Sequence, residues 1–300
     1  MGVFSRLKSL FGGKNKPKLP KLPKLPRVDV AKRFDLVART GQGSMSQVWR
    51  ARDHKIGRVV CLKVLDKEKT NRFAARFPGL SRPIEGEVLM AMKHPNIVQT
   101  LEYGLTRQGQ QYVVMELIDG MGLNFLIEAK SAQLLGHRVD FLIQAACGLE
   151  YIHEHKFMHR DICPRNIMVT KDNVVKLIDF GLTIPYQPLF CRPGNRTGTP
   201  NYMAPELIKR HTTDHRVDLF ALGVTAYEVF TGALPWEKAD SLQTVQAHIN
   251  TPGRQPRELR RDLDDATNAF LLKAIARDPR DRFQTAAEFK AALQALPRKE

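Results

Sequence analysis

Three polar side chains close together in the sequence have the chemistry needed to move a phosphoryl group. Asp161 and Asn166 lie in one short stretch, and Asp179 follows 18 residues after Asp161. Carboxylate and amide oxygens are ligands that Mg²⁺ accepts, and phosphoryl transfer depends mainly on positioning and on neutralising phosphate charge. Upstream, Gly41-Gln42-Gly43 would let the backbone approach phosphates, and Lys63 offers a cation to them. The set indicates phosphoryl transfer from a nucleotide.

These residues belong to a longer series of motifs in a fixed order. The series is Thr40-Gly41-Gln42-Gly43-Ser44-Met45-Ser46-Gln47-Val48, Val60-Cys61-Leu62-Lys63, HRDICPRN (159–166), Asp179-Phe180-Gly181 and Ala204-Pro205-Glu206. In order and spacing it resembles the eukaryotic-type (Hanks-type) Ser/Thr protein kinase family, with Ser46 where that family has its third glycine. The resemblance implies an ATP-dependent phosphotransferase that uses Mg²⁺, with Mn²⁺ as the alternative ion, and that acts on protein substrates.

The resemblance also implies a role for each residue of the catalytic set. Asp161 would accept or orient the proton of the attacking hydroxyl, and Asn166 and Asp179 would hold the metal. Lys63 would pair with the α- and β-phosphates. Thr199 would form a hydrogen bond near the catalytic aspartate and shape the pocket for the substrate hydroxyl.

By the same resemblance, the nucleotide is expected to contact two further groups of residues. They are the glycine loop from Thr40 to Val48, and Cys61, Lys63, Met115, Glu116, Ile118 and Met168. Val48 and Cys61 would lie above the adenine ring and Met168 below it, with Met115 as gatekeeper. These side chains are also suitable core residues, so their substitution could unfold the protein rather than only block binding.

The glutamate that would hold the phosphate-binding lysine has two candidates. Counting back from the HPNIV motif by the family spacing gives Glu85, and Glu87 is the alternative. Both follow Pro83, and proline is tolerated in the first turn of a helix but not in its interior. The sequence therefore predicts a short helix that begins near Ser81 or Arg82, which would hold the ion pair less firmly.

Two substitutions depart from the family pattern in the catalytic loop. Cys163 stands where Ser/Thr kinases usually have a lysine that contacts the γ-phosphate, and a neutral thiol cannot stabilise developing charge in that way. We expect Arg165, four residues after Asp161, to supply the missing cation. A pseudokinase that binds nucleotide with little transfer is the alternative function. A small-molecule kinase is disfavoured, because GTPNYMAPE (198–206) is typical of a peptide-binding platform.

The segment before that platform favours serine and threonine as the acceptor residues. Thr199 occupies the position typical of Ser/Thr kinases, where tyrosine kinases have a proline-led sequence. The usual phosphorylation position is Asn195, which cannot be modified, so Thr197 is the local candidate, with Arg160 as a partner for its phosphate.

The pattern of apolar residues predicts strands first and helices later, which is typical of an α+β fold. Predicted strands are Phe34–Arg39, Gln47–Arg52, Arg58–Leu65, Val98–Gly104 and Gln111–Leu117, and predicted helices lie around 137–156, 214–231, 263–277 and 284–295. We expect a bilobal protein-kinase fold, with a small antiparallel N-lobe that includes one helix over 34–118 and a larger helical C-lobe over 119–300. Supporting contacts are expected from Asp218 to the catalytic loop and from Arg282 to Glu206.

The first 33 residues differ in composition from the rest of the chain. They hold ten lysines or arginines and one aspartate, a net +9 of the total +16, and three Lys-Leu-Pro repeats over 18–26. The expectation is a disordered basic tail with polyproline II character, which either keeps the protein soluble or binds an anionic membrane surface or an acidic partner. No specific nucleic acid is expected. Scattered cysteines without pairing motifs favour a cytoplasmic location, peripheral to the membrane if the tail binds it.

Overall fold

The computed structural model describes residues 25, 27–43, 46–238, 245 and 249–297. The described chain separates into two compact units. The sheet unit contains the residues up to His94 and Val98–Ile118, and the helical unit contains Pro95–Ile97 and the residues from Asp119 onward. Residues 1–24, which hold most of the Lys-Leu-Pro repeats, lie outside the described residues, and so do Ser44 and Met45. The predictions made for them lie outside the described residues as well.

One six-stranded sheet forms the centre of the sheet unit. Its strands are β1 (Arg27–Val28), β2 (Phe34–Gly43), β3 (Ser46–Asp53), β4 (Arg58–Leu65), β5 (Thr100–Thr106) and β6 (Gln111–Met115). The spatial order is β1-β5-β6-β4-β3-β2, and neighbouring strands are antiparallel apart from β1 and β5, which are parallel. A buried apolar cluster includes alternate residues of β4, Val60 and Leu62. This period of two is expected of a strand with one face in the core.

Three helices accompany the sheet: α1 (Val30–Arg33), α2 (Lys67–Ala74) and α3 (Glu85–Ala91). Helix α2 was not predicted from the apolar pattern. The side chain of Asp66 accepts a hydrogen bond from the Lys69 N–H and so caps the start of this helix. The predicted start of α3 near Ser81 or Arg82 is wrong, because the helix begins at Glu85.

Part of the segment up to residue 33 is ordered, because Arg27–Val28 form β1 and Val30–Arg33 form α1. Arg33 at the end of α1 donates to both carboxylate oxygens of Asp53, at 3.0 and 2.7 Å, and also binds Glu102. The two acids together raise the pKa of Arg33 against the opposing effect of burial. The ion pairs hold this part of the chain on the sheet.

The helical unit is built around α7 (Arg216–Thr231), which is buried along nearly its whole length. The other helices are α4 (Leu123–Glu128), α5 (Ala132–Glu154), α6 (Pro205–Ile208), α8 (Pro256–Leu259), α9 (Asp265–Ala274) and α10 (Ala286–Gln294). Helix α5 begins earlier than predicted and has non-helical backbone angles at His137. The short strands are β7 (Gly120–Gly122), β8 (Phe157–Met158), β9 (Ile167–Thr170), β10 (Val175–Leu177) and β11 (Ile184–Pro185).

The two units together confirm the predicted α+β class, with strands concentrated early in the chain and helices later. Within the described ranges, no helix has both the length and the apolar character that crossing a bilayer requires.

Candidate functional site

Lys63 lies on β4 with its side chain on the face of the sheet opposite the apolar cluster. Its Nζ is 2.6 Å from Oε1 of Glu85, the first residue of α3, and the two residues are 4% and 2% exposed. Glu87, the alternative partner, instead accepts the backbone N–H of Ile84 at 3.2 Å and stabilises the start of the helix. Glu85 therefore pairs with Lys63, whereas Glu87 stabilises the start of α3.

A glycine allows α3 to approach the sheet closely enough for this pair. A Cβ atom built on Gly86 would lie 2.4 Å from the Cβ of Tyr103 on β5, far inside van der Waals contact. Any larger residue at position 86 would move the helix or the strand. Sequence reasoning missed Gly86, although a glycine inside a predicted helix is itself a signal of close packing.

Strand pairing places several of the predicted nucleotide contacts on one face of the sheet. Val48 on β3 lies opposite Lys63, and Met115 on β6 lies opposite Cys61, two residues before the lysine. Cross-strand partners and residues two apart on one strand share a face. Burial raises the pKa of the Cys61 thiol to about 11, although Lys63 opposes the shift.

Other predicted contacts of the sheet unit are less informative. Thr40 donates a long hydrogen bond of 3.5 Å to the carbonyl of Val48, which joins β2 to β3. Glu116 forms hydrogen bonds with Gln99 through both its backbone N–H and its carboxylate. Ile118 ends the sheet unit. Met168 lies in the helical unit, on β9, paired with Gly122 of β7.

Asp161 is held by donors on both of its carboxylate oxygens. Its Oδ1 accepts the backbone N–H and the hydroxyl of Thr199, at 2.7 and 2.8 Å. Its Oδ2 accepts the side-chain amide of Asn166 at 2.8 Å, and the same amide also binds the Asp161 carbonyl. The carboxylate is thus fixed in orientation before any substrate is present.

The backbone of the catalytic loop is held by Asp218 on α7, as the sequence predicted. Its carboxylate accepts the backbone N–H groups of His159 and Arg160, both at 2.8 Å, and a bond from the His153 ring at 2.9 Å. Burial opposes the ionisation of Asp218, but the hydrogen bond and charge of His153 and the loop N–H groups lower its pKa. The ionised carboxylate accepts the donors that would otherwise be buried without partners.

Asp179 is brought near Asn166 by the hydrogen bond from the Ile178 N–H to the Asn166 carbonyl, at 2.9 Å. It has a positive φ of 61°, a conformation that non-glycine residues rarely adopt and that concentrates at functional sites. Beneath it, the rings of His159 and Phe180 pack edge to face, with centroids 4.8 Å apart.

The two departures of the catalytic loop have different environments. Cys163 is buried, with its sulfur 3.8 Å from the Thr199 hydroxyl, and burial together with the Asp161 charge raises its thiol pKa to about 12. Arg165 is exposed and forms no hydrogen bond or ion pair with the described residues. The thiol is therefore neutral and confined, whereas the guanidinium is accessible to a ligand.

Arg160 is a buried cation with weak, neutral partners. Its guanidinium donates to the hydroxyls of Thr213 and Thr197 and to the Asn195 carbonyl, at 3.3, 3.4 and 3.4 Å. Burial lowers its pKa, although Asp218 opposes the shift. The side-chain amide of Asn195 is buried beside it without a hydrogen-bond partner. Among the described residues, no carboxylate forms an ion pair with the Arg160 guanidinium, and its hydrogen-bond partners are all neutral.

The Ala204-Pro205-Glu206 motif is anchored by the ion pair predicted between Arg282 and Glu206. The guanidinium donates to both carboxylate oxygens at 2.8 Å and also binds the carbonyls of Ala276 and Arg277. A bidentate pair of this kind fixes both distance and plane.

Cys163 and Cys191 are free thiols, and the pKa of Cys191 is raised to about 11 by burial.

Comparison with known proteins agrees with this geometry. The model of the protein kinase domain matches residues 34–294. The chain is 32% identical to a probable serine/threonine-protein kinase of Clostridium perfringens over 270 residues, which cover 89% of this chain and 38% of the relative. It is 32% identical to a serine/threonine-protein kinase of Myxococcus xanthus, over 89% of this chain and 50% of the relative. With the serine/threonine-protein kinase PknB of Mycolicibacterium smegmatis it shares 32% identity, over 88% and 43% respectively. The chain thus spans half or less of the length of these relatives.

Proposed function

Since this chain belongs to the eukaryotic-type Ser/Thr protein kinase family, we propose that it transfers the γ-phosphoryl group of ATP to serine and threonine hydroxyls of protein substrates. The observation that carries the proposal is the fixed carboxylate of Asp161, with bonds from Thr199 on one oxygen and from Asn166 on the other. A general base is effective when it is already oriented toward the proton that it accepts.

In the proposed reaction, Asp161 orients the substrate hydroxyl and accepts its proton as the hydroxyl oxygen bonds to the γ-phosphorus. The bond from that phosphorus to the bridging oxygen breaks, and ADP leaves with the electron pair. Thr199 supports the reaction by holding Oδ1 of Asp161 and by shaping the site of the acceptor hydroxyl.

Asn166 and Asp179 have the oxygen donors that a hard divalent cation prefers. The amide nitrogen of Asn166 is bound to Asp161, so its amide oxygen is the atom that remains for a metal. Together they would hold Mg²⁺, or Mn²⁺ as the alternative, whose charge neutralises phosphate oxygens. Asp179 is held for this task in its left-handed backbone conformation.

Lys63 is proposed to bind the α- and β-phosphates, with Glu85 holding its ammonium group in place. The glycine loop over 40–48 would contact the phosphates through its backbone. Cys61, Met115 and the backbone from Glu116 to Ile118 would contact adenine, with Met168 on the other side of the ring. The shared face of Val48, Cys61, Lys63 and Met115 supports this assignment.

Arg165 is proposed to supply the cation that Cys163 cannot. It is exposed and unpaired among the described residues, so it can turn toward a phosphate without breaking a contact. Arg165→Ala should lower kcat strongly while leaving the melting temperature unchanged, and Arg165→Lys should keep part of the rate. An unchanged kcat in Arg165→Ala would refute this role.

Thr197 is proposed as a phosphorylation site whose phosphate would pair with Arg160. A phosphate there would give the buried guanidinium a directly paired anion, in addition to neutral partners at 3.3 and 3.4 Å. Full activity of unphosphorylated Thr197→Ala would instead mean that the enzyme needs no modification.

Three further features of the chain are proposed. The nucleotide-binding and substrate-binding lobes correspond to 34–118 and 119–300. The basic segment up to residue 33 is proposed to bind an anionic membrane surface or an acidic partner, with no specific nucleic acid as ligand. The location is proposed to be cytoplasmic, peripheral to the membrane where the tail is bound.

The test is transfer of phosphate from ATP to a generic Ser/Thr protein substrate and to the chain itself, with mass-spectrometric mapping of the modified residues. We expect Mg²⁺-dependent phosphorylation of serine and threonine that is absent in Asp161→Ala. Nucleotide binding without transfer in the wild-type chain would favour the pseudokinase alternative, for which Cys163 is the supporting observation. Equal labelling by Asp161→Ala would refute the proposed role of the aspartate.

A further inference from the structure

The short segment from Arg27 to Arg33 lies against β5, the strand next to the edge of the sheet. Its first two residues form β1, the edge strand, which pairs in parallel with the end of β5. The Arg107 N–H donates to the Val28 carbonyl at 3.0 Å, and the Arg107 guanidinium pairs with Asp29 at 3.0 Å. The segment is thus the outer neighbour of β5.

Arg33, at the end of this segment, bridges two strands that are not neighbours. It donates to both carboxylate oxygens of Asp53 at the end of β3, at 3.0 and 2.7 Å, and it also binds Glu102 on β5. Strands β6 and β4 lie between β5 and β3. Only 10% of the Arg33 side chain is exposed, and its two partners are 0% and 21% exposed. Ion pairs this well buried are little screened by salt, and they tie β5 to the other side of the sheet.

The bridge meets β5 where its pairing is irregular. The register of β5 with β6 shifts between Thr100 and Glu102, and a shift of this kind interrupts the ladder locally. The Glu102 carboxylate accepts the Tyr112 hydroxyl at 2.7 Å and the Lys55 ammonium at 2.6 Å, in addition to Arg33. Burial opposes its ionisation, but the hydrogen bonds, that of Arg33 first, lower its pKa to about 2. Side-chain contacts therefore fix this point of β5 where the backbone ladder does so less well.

Helix α3 rests on the opposite face of β5 at the same point. Tyr103, the residue after Glu102, faces the other way, because successive strand residues alternate. It lies in the same cross-strand row as Lys63. Gly86 of α3 approaches it so closely that an added Cβ would be 2.4 Å from the Tyr103 Cβ. The ion pairs thus hold, from behind, the part of β5 on which the helix that carries Glu85 packs.

We propose that Arg33 is a positioning residue for the Lys63–Glu85 pair. By holding Glu102 on one face of β5, it sets where Tyr103 lies on the other face, and so how closely α3 approaches Lys63. The inference rests on the proposed function, in which this pair positions the phosphates of ATP. Because contact distances decide the position of α3, loss of the Arg33 contacts should shift the pair without unfolding the sheet unit.

The test compares Arg33→Met and Arg33→Lys with the wild-type chain, by phosphate transfer and by hydrogen exchange of the α3 amides. Arg33→Met should lower kcat/KM about tenfold, the order expected when a positioning group shifts by less than about 1 Å. The α3 amides should exchange about tenfold faster, while those of β4 change by less than about twofold. Arg33→Lys keeps the charge but lacks the planar fork that binds two carboxylates, so its effects should be intermediate. If Arg33→Met does not fold, Arg33→Lys decides by the same two measurements.

Arg107→Met is the matched control, because it removes an arginine ion pair from the same segment and leaves the bond between Arg33 and Glu102 in place. It should change neither kcat/KM nor α3 exchange by more than about twofold. A double-mutant cycle with Glu85→Gln separates positioning from general stability. In that background, Arg33→Met should cost much less than it does in the wild type.

Wild-type kcat/KM and α3 exchange in Arg33→Met would overturn the proposal, and so would an undiminished loss of rate in the Glu85→Gln background. Faster exchange spread evenly over the whole sheet unit would also overturn it, by showing a purely structural role. Hydrogen exchange requires no catalysis. Absence of transfer in the wild-type chain would therefore refute the proposed function, while the α3 amides would still decide whether Arg33 acts on this helix.

Discussion

The proposed catalytic residues of the two units are held in place by different physical means. In the sheet unit, the position of Glu85 beside Lys63 depends on how closely a seven-residue helix packs against β5. In the helical unit, Asp161 is fixed by directional bonds from Thr199 and Asn166, on a loop whose backbone is held by Asp218.

This difference determines how each unit should respond to change. Packing is specified by distance, so a small shift of α3 alters the Lys63–Glu85 pair without breaking the fold. Hydrogen-bond networks are specified by donor and acceptor, so loss of a central acceptor leaves several buried donors unpaired. We therefore expect substitutions near Glu85 to affect mainly activity, and substitutions beneath Asp161 to affect mainly stability.

The largest effect is expected from Asp218→Asn in the helical unit. The variant removes the charge that pairs with His153 and puts an amide N–H₂ where an oxygen accepts a loop N–H. Breaking a buried charged network of this kind costs about 3–5 kcal/mol. Urea unfolding should show a fall of that size in the free energy of unfolding.

Asp214→Asn provides the matched control, because its carboxylate pairs with Arg216 near the surface and should cost about 1 kcal/mol or less. The pH dependence gives a second reading. The lowered pKa of Asp218 means that its contribution is present above the ordinary value of 3.8 and is lost as the pH falls through the lower folded-state value. The acid side of the stability curve should be flatter in Asp218→Asn, and an equal slope would contradict the network.

How far the sequence predicts this site depends on whether the relevant contacts are local. Asp161 and Asn166 lie in one motif, and the hydrogen bond between their side chains spans only five residues, so a local pattern brings them together. The start of helix α3 was not predicted correctly. Pro83 indicated a start nearby, but the observed start at Glu85 depends on a hydrogen bond from the Ile84 N–H to Glu87.

Contacts between distant residues account for the features that the sequence did not reveal. The segment with Arg33 was predicted as part of the tail because composition reports charge but not partners. Its partners, Asp53 and Glu102, are 20 and 69 residues away. Likewise, the need for glycine at position 86 is set by Tyr103 on another strand, which periodicity within α3 cannot reveal.

The next largest effect is expected from Gly86→Ala in the sheet unit. The added methyl group would meet Tyr103 and push α3 outward, which displaces Glu85 from Lys63. Misplacement of a positioning residue by about 1 Å can cost up to about a hundredfold in rate, so we expect kcat/KM to fall about ten- to hundredfold. Overpacking should lower the free energy of unfolding by only about 1–3 kcal/mol.

Gly136→Ala is the control, because position 136 is also helical but has no heavy atom within 4 Å of the added Cβ. It should leave activity unchanged and stability equal or higher, by up to about 1 kcal/mol. A double-mutant cycle with Glu85→Gln tests the route of the effect. If Gly86→Ala reduces the rate as much in the Glu85→Gln background as in the wild type, the glycine does not act through this ion pair.

A smaller effect is expected from Thr199→Val, which removes the hydroxyl bond to Asp161 and keeps the backbone N–H bond of 2.7 Å. Because the bonds from Asn166 also remain, kcat should fall by about tenfold at most, the value of one hydrogen bond to a charged group. Thr199→Ser should retain the wild-type rate. A loss of more than about a hundredfold in kcat of Thr199→Val would mean that the remaining hydrogen bonds do not hold the Asp161 carboxylate in place.

The smallest effect concerns the thiol of Cys163 beside the same carboxylate. Its pKa is raised from 9.0 to about 12, so between these values the unfolded chain loses its proton while the folded chain keeps it. The thiol's contribution to stability is therefore full below pH 9 and is lost as the pH rises toward 12. Cys163→Ala should reduce the alkaline loss of stability by about 1 kcal/mol at pH 10, measured by urea unfolding. Cys147→Ala, at a half-buried cysteine, should reduce it less. An unchanged alkaline slope in Cys163→Ala would show that the helical unit does not bury this thiol in its neutral form, and would weaken the contrast with the sheet unit.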